Sequence, residues 1–214
     1  PPIPCLDREL DLRTLDDAGT LRKAMTEAQS VAIIGGGFIG LEFAAVARGL
    51  GLEVTVAEAA PRLMARVVSQ AISERFLAMH RDMGTTVLLG APVTEVTDTG
   101  IVLANGETVS ADLVVLAAGV RPNSELAAEA GLETENGVRT DAQLLTSDPM
   151  ISALGDCAAF PDPATGLLVR LESVQAATDH ARLIARRLAK KTPDSYAAVP
   201  WFWSNQGVSK LQIA

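Results

Sequence analysis

Cysteine and histidine are both scarce in this sequence. Cys5 and Cys157 are far apart and form neither a CxxC pair nor a spacing typical of zinc ligands. His80 and His180 each stand alone on a predicted helix, and we interpret both as structural or solvent-facing. The sequence therefore predicts no metal site. A reducing compartment, by default the cytoplasm, suits so few thiols.

Positive charge and long apolar runs are also lacking. The chain has 18 Lys and Arg residues against 26 Asp and Glu, a formal net charge of −8, so electrostatics give no support to a nucleic-acid partner. No apolar run is long enough to span a bilayer, and the first 16 residues lack the pattern of a signal peptide. We expect neither nucleic acid nor a membrane as partner.

The length and ends of the chain bound its organisation. A sequence of 214 residues, 48% of them hydrophobic, suits one large globular domain or two small ones. The chain begins at Pro1 without a methionine and stops at Ala214 within a stretch that alternates like a strand. We therefore expect both ends to lie inside a longer protein.

Glycine, in contrast, is concentrated where it carries chemistry. The apolar run Val31–Ile34 predicts a strand buried on both faces, and Gly35, Gly37 and Gly40 follow it with GxGxxG spacing. Helical periodicity then runs from Phe38 to Leu50. In this motif the first glycine allows a tight turn, the second lets a pyrophosphate approach the backbone, and the third lets the helix pack closely on the strand. The helix N-terminus offers N–H groups and a positive dipole end to phosphates.

A second apolar strand, Val54–Ala57, ends at Glu58. This acid lies 18 residues beyond Gly40 (58 − 40), close to the separation of about 20 at which a carboxylate accepts from a ribose hydroxyl. It would repel a 2′-phosphate, which favours NAD(H) over NADP(H). Arg62 weakens that preference slightly, although a solvated loop arginine is the simpler interpretation. The alternative for the whole stretch, a glycine-rich turn that only packs, leaves Glu58 unexplained.

The other elements of the first half fit a wound sheet with an interruption. A helix from Leu15 to about Ala28, capped by Asp16 or Asp17, precedes the glycine-rich stretch. The pattern then predicts a helix, a strand, a three-stranded antiparallel meander with a hairpin at Asn105-Gly106, and a final apolar strand, at Val67–Met83, Thr85–Leu89, Val93–Val96, Ile101–Ala104, Glu107–Ala111 and Leu113–Ala118.

The second half is looser and contains one chemical signal. Its predicted elements are a short helix, two strands, a long helix and an aromatic stretch, at Ser124–Ala130, Val138–Thr140, Met150–Leu154, Ser173–Lys190 and from Trp201 onward. Gly155 and Asp156 follow the second of these strands. An acid at the carboxyl end of a strand beside a helix N-terminus can hold a ligand hydroxyl; a helix cap is the alternative interpretation.

Six motifs follow one another along the chain: Gly-Gly-Gly-Phe-Ile-Gly-Leu-Glu (35–42), Glu-Ala-Ala-Pro-Arg-Leu-Met-Ala-Arg (58–66), Ala-Gly-Val-Arg-Pro-Asn (118–123), Ala-Leu-Gly-Asp-Cys (153–157), Arg-Leu-Glu-Ser-Val-Gln-Ala-Ala (170–177) and Pro-Trp-Phe-Trp-Ser-Asn-Gln (200–206). In these motifs and their order the chain resembles the FAD-dependent NADH:ferredoxin reductases of bacterial oxygenase systems, the putidaredoxin reductase type, in the pyridine nucleotide-disulfide oxidoreductase superfamily. The first and fourth motifs are shared across the superfamily, and the last two are more particular to the oxygenase-linked branch.

The resemblance implies an α/β fold: a Rossmann-like NAD domain with an antiparallel β-meander insertion, plus part of a second, FAD-binding dinucleotide domain. Residues 1–12 would be a linker or the end of an FAD-domain part, and residues 13–120 the NAD-binding domain. Residues 121–195 would be a partial FAD-binding domain, and residues 196–214 the start of a C-terminal interface domain. Exposed apolar surface around residues 121–195 would favour self-association, so a homodimer is expected.

The resemblance also implies cofactors, a reaction and site residues. A hydride would pass from NADH to FAD, and electrons would then pass to a ferredoxin-type iron–sulfur protein. Glu42 would lie near the nicotinamide as the catalytic candidate, the alternative being an acid favoured by the helix dipole. Trp201 and Trp203 would lie near the flavin or the partner, or simply in the core. The implied cofactor-binding set is Gly35, Gly36, Gly37, Phe38, Ile39, Gly40, Glu58, Arg66, Gly119, Gly155, Asp156 and Val174, with Asp156 and Val174 on the flavin side.

Two other readings remain open on the residues alone. One is another branch of the superfamily, an NADH peroxidase or a disulfide reductase, whose reactive cysteines would lie outside this sequence. The other is a non-catalytic NAD-binding module that senses redox state.

Overall fold

A computed structural model describes residues 9–189 and 195–214. The chain divides into two compact units. Unit 1 comprises Pro1–Gly119 and Ser204–Lys210, and unit 2 comprises Val120–Trp203 and Leu211–Ala214. Most of the predicted linker, with Cys5, and the predicted end of the long helix at Lys190 lie outside the described residues. The assignment of these units to NAD, FAD and interface domains stays a prediction.

Unit 1 is built on a parallel sheet with the strand order β3-β2-β1-β7. A second, antiparallel sheet of three strands has the order β4-β5-β6. The elements in chain order are α1 (Leu15–Glu27), β1 (Ser30–Ile34), α2 (Phe38–Gly49), β2 (Glu53–Glu58), α3 (Gln70–Asp82), β3 (Thr86–Leu89), β4 (Val93–Thr97), β5 (Gly100–Leu103), β6 (Thr108–Ser110) and β7 (Leu113–Leu116). The predicted Rossmann-like sheet and its meander are therefore confirmed.

Strand β1 is buried on both faces, which explains its unbroken apolar run. Val31 and Ile33 face a core shared with α1 and α2, which includes Leu21 and Phe43. The alternate residues of β1 face a second core that the meander supplies through side chains such as Ile101. Each fully buried aliphatic side chain stabilises the fold by roughly 1.5–3 kcal/mol. The meander thus covers the sheet face that a crossover helix would otherwise cover.

Unit 2 contains a small mixed sheet with the order β10-β9-β8 and one long helix. Phe160, Leu144 and Leu183 form the centre of its core, with Tyr196 packed against them. Its elements are α4 (Glu125–Glu129), β8 (Val138–Arg139), a 3-10 turn (Gly155–Cys157), β9 (Ala158–Pro161), β10 (Leu168–Val169) and α5 (Val174–Leu188). Two further strands, β11 (Phe202–Gln206) and β12 (Ser209–Ile213), form a hairpin whose residues Ser204–Lys210 belong to unit 1.

Two helix starts differ from the sequence predictions. Helix α1 is capped by Thr14 and not by Asp16 or Asp17. Asp17 sits at the third helical position, where its carboxylate accepts from the Thr14 N–H at 2.7 Å while the Thr14 hydroxyl accepts from the Asp17 N–H at 3.2 Å. Helix α3 begins at Gln70, not Val67, because Ser69 provides its cap.

The predicted strand Met150–Leu154 is wrong. Its only ladder contact among the described residues is a single bridge between Leu145 and Ser152. Asp148 instead closes a turn, because its carboxylate accepts from the Met150 N–H and its carbonyl accepts from the Ile151 N–H. The Met150 side chain is 89% exposed, so this apolar run is not a buried strand. In the two described ranges, no helix is long and apolar enough to cross a membrane.

The capping box of α1 gives a stability prediction. Thr14→Ala removes the hydroxyl that accepts from the Asp17 N–H and keeps the backbone N–H that donates to the Asp17 carboxylate. We expect the free energy of unfolding to fall by about 1 kcal/mol. Thr20→Ala, on the exposed side of the same helix, is the matched control and should be neutral or slightly stabilising. Urea denaturation of both variants measures the difference. Equal effects would show that the Thr14 hydroxyl does not stabilise the helix.

Candidate functional site

Two glycines of the GxGxxG stretch are required by close backbone packing. Gly35 follows β1 with φ +109°, and a Cβ there would lie 2.4 Å from the Ala117 carbonyl oxygen. Gly40 is in the first turn of α2, where a Cβ would lie 2.2 Å from the Gly35 carbonyl oxygen. These two positions fix the turn and bring α2 onto the end of β1, as their places in the motif predict.

Gly37 differs from Gly35, Gly36 and Gly40 because a side chain at this position would have free space. It has φ −84°, which any residue tolerates, and a Cβ at this position would meet no atom within 4 Å. Gly37 is the N-cap of α2, and it has no side-chain cap hydrogen bond. The first turn of α2 also contains no acidic residue. Open space in front of the positive end of a helix dipole is what an anionic group requires.

Gly36, Phe38 and Ile39 are the remaining predicted residues of this stretch. A Cβ on Gly36 would lie 2.6 Å from Leu63 Cδ2, so this glycine is confined by packing. Phe38 and Ile39 form the start of α2; the Ile39 side chain is 44% exposed. The six predicted residues from Gly35 to Gly40 therefore form the turn after β1 and the first turn of α2.

Glu58 lies at the end of β2 and contacts the glycine loop directly. Its Oε2 accepts from the Gly36 N–H at 2.6 Å, and its Oε1 accepts from the Ala60 N–H at 2.7 Å. These two backbone donors fix the carboxylate beside the loop in a half-buried position. A carboxylate has about four acceptor positions, so it keeps capacity for a ligand hydroxyl. Its role towards a ribose stays a prediction.

Arg66 and Gly119 lie side by side. A Cβ on Gly119 would be 3.5 Å from Arg66 Nη2, and Gly119 follows β7 with φ +98°. Arg66 is exposed, and no ion pair among the described residues includes it. An exposed guanidinium past the carboxyl end of β7 suits a phosphate.

Arg62 is not the solvated loop arginine that its position suggested. Its guanidinium donates to the carbonyl oxygens of Val68 (2.7 Å) and Ala65 (2.5 Å) and to Ser73 Oγ (2.8 Å). The side chain is half-buried and orders the loop before α3. With its donors so engaged, Arg62 is a structural residue and does not weaken the expected cofactor preference.

Glu42, the catalytic candidate, is bound by a segment that the sequence analysis did not connect with it. Its Oε1 accepts from Ser204 Oγ at 2.6 Å and from the Asn205 N–H at 3.0 Å. Both donors belong to unit 1, in which residues 204–210 are the tip of the β11–β12 hairpin. The dipole alone therefore does not account for Glu42. No spacing rule relates residue 42 to residues 204 and 205, so the sequence alone does not predict this contact.

The flavin-side candidates lie together in unit 2. Gly155 has φ +68° and lies against Ala177 of α5, and its N–H donates to His180 Nδ1 at 3.1 Å. The Asp156 carbonyl oxygen accepts from Arg170 Nη1 at 2.9 Å. Val174, the first residue of α5, is 67% exposed.

Asp156 is not a helix cap. Ser173 caps α5, with its hydroxyl accepting from the Ala176 N–H. No hydrogen bond in the described parts of the chain uses the exposed Asp156 carboxylate. The cap interpretation is therefore wrong, while the ligand interpretation stays a prediction. Cys157 is half-buried, and its Sγ lies 3.5 Å from the Leu154 carbonyl oxygen.

Trp201 and Trp203 are not core residues. Their rings stack at 5.5 Å between centroids, and they are 43% and 41% exposed. Among the residues placed in the two described ranges, no group of three His, Cys, Asp or Glu side chains is arranged to hold a metal ion.

Both histidines are fully buried. Burial lowers the pKa of His80 below its ordinary value of 6.5, opposed by its hydrogen bond with Gln206. Burial also lowers the pKa of His180, opposed by the charge of Asp179. The Gly155 N–H requires an unprotonated Nδ1 on His180, which agrees with a neutral ring. The structural interpretation of both histidines fits this burial.

Residues 1–181 match the sequence profile of the pyridine nucleotide-disulphide oxidoreductases. The chain belongs to the pyridine nucleotide-disulphide oxidoreductase family.

Relatives with an assigned activity are reductases of small redox proteins. The chain is 47% identical over 208 residues to rhodocoxin reductase of Rhodococcus erythropolis, covering 95% of this chain and 48% of the relative. It is 40% identical over 202 residues to putidaredoxin reductase of Pseudomonas putida, covering 91% and 48%. The resemblance to ferredoxin reductases is therefore confirmed.

Solved structures agree. A ferredoxin reductase from Rhodopseudomonas palustris superposes with a TM-score of 0.92 at 52% identity, covering 95% of this chain and 51% of that one. Putidaredoxin reductase in covalent complex with putidaredoxin gives 0.91 at 38% identity, covering 96% and 51%. The chain spans about half the length of the curated relatives and solved structures that it matches.

The glycine loop gives a prediction that separates packing from binding. Gly35→Ala forces a left-handed residue against the Ala117 carbonyl, and we expect it to lower the free energy of unfolding by more than about 2 kcal/mol. Gly37→Ala places a methyl group in open space and should change stability by less than about 0.5 kcal/mol. Thermal and urea denaturation measure both. An equally destabilised Gly37→Ala would mean that the space in front of α2 is not open.

The buried histidines give a pH prediction. Because burial lowers both histidine pKa values in the folded chain, the unfolded chain binds more protons at His80 and His180 than the folded chain does near and below pH 6.5. The free energy of unfolding should therefore fall as pH is lowered. The slope is at most about 1.4 kcal/mol per pH unit for each histidine. The lowered carboxyl pKa values of Asp17 and Asp162 act only below about 3.8, which keeps the two ranges apart.

Urea denaturation between pH 7.5 and 5 checks this expectation. His180→Gln keeps an acceptor for the Gly155 N–H but removes one titrating group, so its slope should be smaller than that of the unsubstituted chain. Stability that is independent of pH across this range would contradict neutral, buried histidines.

Proposed function

We propose that the protein containing this chain is an NADH-dependent, FAD-containing reductase that passes electrons to a ferredoxin-type iron–sulfur protein. The observation that carries the proposal is the open space at Gly37, bounded by the uncapped start of α2 and by Glu58. The names of the relatives, which include rhodocoxin reductase and putidaredoxin reductase, support the acceptor class.

The residues of unit 1 fit an NAD(H) molecule. The backbone at Gly37 and the first turn of α2 would bind the pyrophosphate, and the Arg66 guanidinium would lie within reach of a phosphate. Glu58, held by the Gly36 and Ala60 N–H groups, would accept from the ribose hydroxyls. Glu42 would face the nicotinamide from the next turn of α2.

The residues of unit 2 fit one end of FAD. The Asp156 carboxylate is exposed, and the backbone on either side of it is held by His180 and Arg170. An exposed carboxylate on a backbone held in this way would bind a hydroxyl of the ribityl or phosphate side of the cofactor. The exposed start of α5 at Val174 would offer backbone groups to the flavin.

The cofactors and the chain would have different roles in the reaction. The bound cofactors supply the redox chemistry, in which NADH gives a hydride to FAD and FAD gives electrons to the iron–sulfur protein. The chain binds the two cofactors and orients them, and neither step requires an acid or base from it.

Anaerobic titration of the full-length protein with NADH tests the proposal. We expect purified protein to contain FAD, NADH to reduce the flavin, and the reduced enzyme to reduce an added ferredoxin or rubredoxin. NADPH should react much more slowly. Absence of FAD would overturn the proposal, and so would reduced protein that passes electrons to peroxide or a disulfide but not to an iron–sulfur acceptor.

We also propose that the protein is a cytoplasmic homodimer. Large exposed apolar side chains in unit 2, including Leu126, Met150 and Leu188, support contact with a further protein surface. Sedimentation of the full-length protein and fractionation of cells check the two statements. A monomer at micromolar concentration or a membrane-fraction protein would contradict them.

Glu58 gives a prediction on cofactor choice. Glu58→Gln keeps one acceptor for the loop N–H groups but removes the charge. We therefore expect NADH binding to weaken by about 1–2 kcal/mol and the preference over NADPH to narrow. Glu53→Gln, at the exposed start of the same strand, is the matched control. Calorimetric titration of the unsubstituted protein and of both variants, each with NADH and with NADPH, measures the affinities. An unchanged preference would mean that Glu58 does not contact the ribose.

A further inference from the structure

A line of buried polar side chains connects Glu42 to α3. Ser204, Gln206 and His80 are each fully buried. Gln206 Nε2 lies 3.0 Å from Ser204 Oγ, and Gln206 Oε1 lies 2.9 Å from His80 Nε2. With the bond from Ser204 to Glu42, these contacts link four side chains of unit 1.

The direction of each hydrogen bond follows from the carboxylate. An ionised Glu42 can only accept, so the Ser204 hydroxyl must donate to it. The oxygen of Ser204 then accepts from the Gln206 amide, which fixes the amide with its oxygen towards α3. His80 must therefore donate from Nε2, and the neutral ring described above supplies that proton. Every bond in the line has one donor and one acceptor.

The line holds one carboxylate oxygen of Glu42, Oε1, and makes no hydrogen bond with the other, Oε2. Oε1 accepts two hydrogen bonds, from Ser204 and from the Asn205 backbone. None of the hydrogen bonds within residues 9–189 and 195–214 uses Oε2. Glu42 is half-buried, so its side chain is partly enclosed by protein and partly accessible to a ligand. Each neighbouring pair in the line is hydrogen-bonded, which restricts the movement of the Glu42 carboxylate; the other ring nitrogen of His80, Nδ1, is buried without a hydrogen-bond partner among the described residues.

We propose that Ser204 and Gln206 are positioning residues that hold the Glu42 carboxylate so that Oε2 binds the carboxamide of the nicotinamide. This inference rests on the proposed function, because it requires a dinucleotide with its nicotinamide near Glu42. The carboxamide is an N–H donor, and a fixed carboxylate oxygen is its natural acceptor. The hairpin tip would thus determine how the nicotinamide half of the ligand is bound, while the glycine loop binds the other half.

Two ligands separate the inference from a general structural role. NAD⁺ carries the nicotinamide, and ADP-ribose is the same molecule without it. In the full-length protein we expect Ser204→Ala to weaken NAD⁺ binding about tenfold, the scale of one charge-assisted hydrogen bond. ADP-ribose affinity should change by less than about twofold. Ser209→Ala, in the same hairpin, is the matched control and should leave both affinities unchanged.

A double-variant cycle tests whether Ser204 acts through Glu42. In a Glu42→Ala background, Ser204→Ala should cause no further loss of NAD⁺ affinity, because the side chain that it positions is absent. Gln206→Leu should show the same pattern, and it decides the matter if Ser204→Ala does not fold. Flavin content and melting temperature are measured for each variant.

The outcomes are distinct. Unchanged NAD⁺ affinity in both folded variants would overturn the inference, and so would equal losses for NAD⁺ and ADP-ribose or additive losses in the Glu42→Ala background. In each of these cases an unsubstituted protein that is reduced by NADH leaves the proposed function intact. If the unsubstituted protein binds neither ligand, the proposed function itself fails, and the inference fails with it.

Discussion

The close approach of α2 to the turn after β1 is the constraint on which unit 1 depends. Because Gly40 has no side chain, α2 can start in contact with the Gly35 carbonyl oxygen. Because Gly35 has no side chain and adopts a positive φ, the turn can pack against the Ala117 carbonyl oxygen. This close approach places the N-terminus of α2 next to the carboxyl end of β1. At Gly37 it leaves space, because a Cβ there would meet no atom within 4 Å. A bulkier residue at either packing position would move the helix and close the space that a ligand needs.

Three acidic side chains show how backbone and side-chain partners set different tasks. Glu58 is held by two backbone N–H groups next to the loop, and Glu42 is held through one oxygen by the hairpin tip. The Asp156 carboxylate is exposed while its neighbouring backbone is fixed. The carboxylates of Glu58 and Glu42 therefore have defined positions and remaining acceptor capacity, which is the condition for orienting a bound cofactor at small entropic cost. At Asp156 only the backbone is held, and the carboxylate keeps its full acceptor capacity.

Local patterns predicted most of unit 1, because its strands and helices are set by apolar periodicity and by glycines with one mechanical role each. The same patterns missed what depends on competing local bonds: Thr14 as the cap of α1, and the turn at Asp148 in place of a strand. They also missed contacts between distant segments. Arg62 looked like a surface residue until its carbonyl acceptors were placed, and the bonds from Ser204 to Glu42 join residues that no spacing relates. In unit 2, Gly155 and Asp156 were recognised, but His180 and Arg170, which hold them, were not.

The central claim is that the space in front of Gly37 and α2 binds the pyrophosphate of NAD⁺, with Glu58 on the ribose. A crystal structure of the full-length protein soaked with NAD⁺ tests it most directly. The account predicts phosphate oxygens within hydrogen-bond distance of the backbone at Gly37 and of the first turn of α2, with a ribose hydroxyl on the Glu58 carboxylate. A dinucleotide bound elsewhere, or an ordered loop that remains closed to a ligand at saturating NAD⁺, would contradict it.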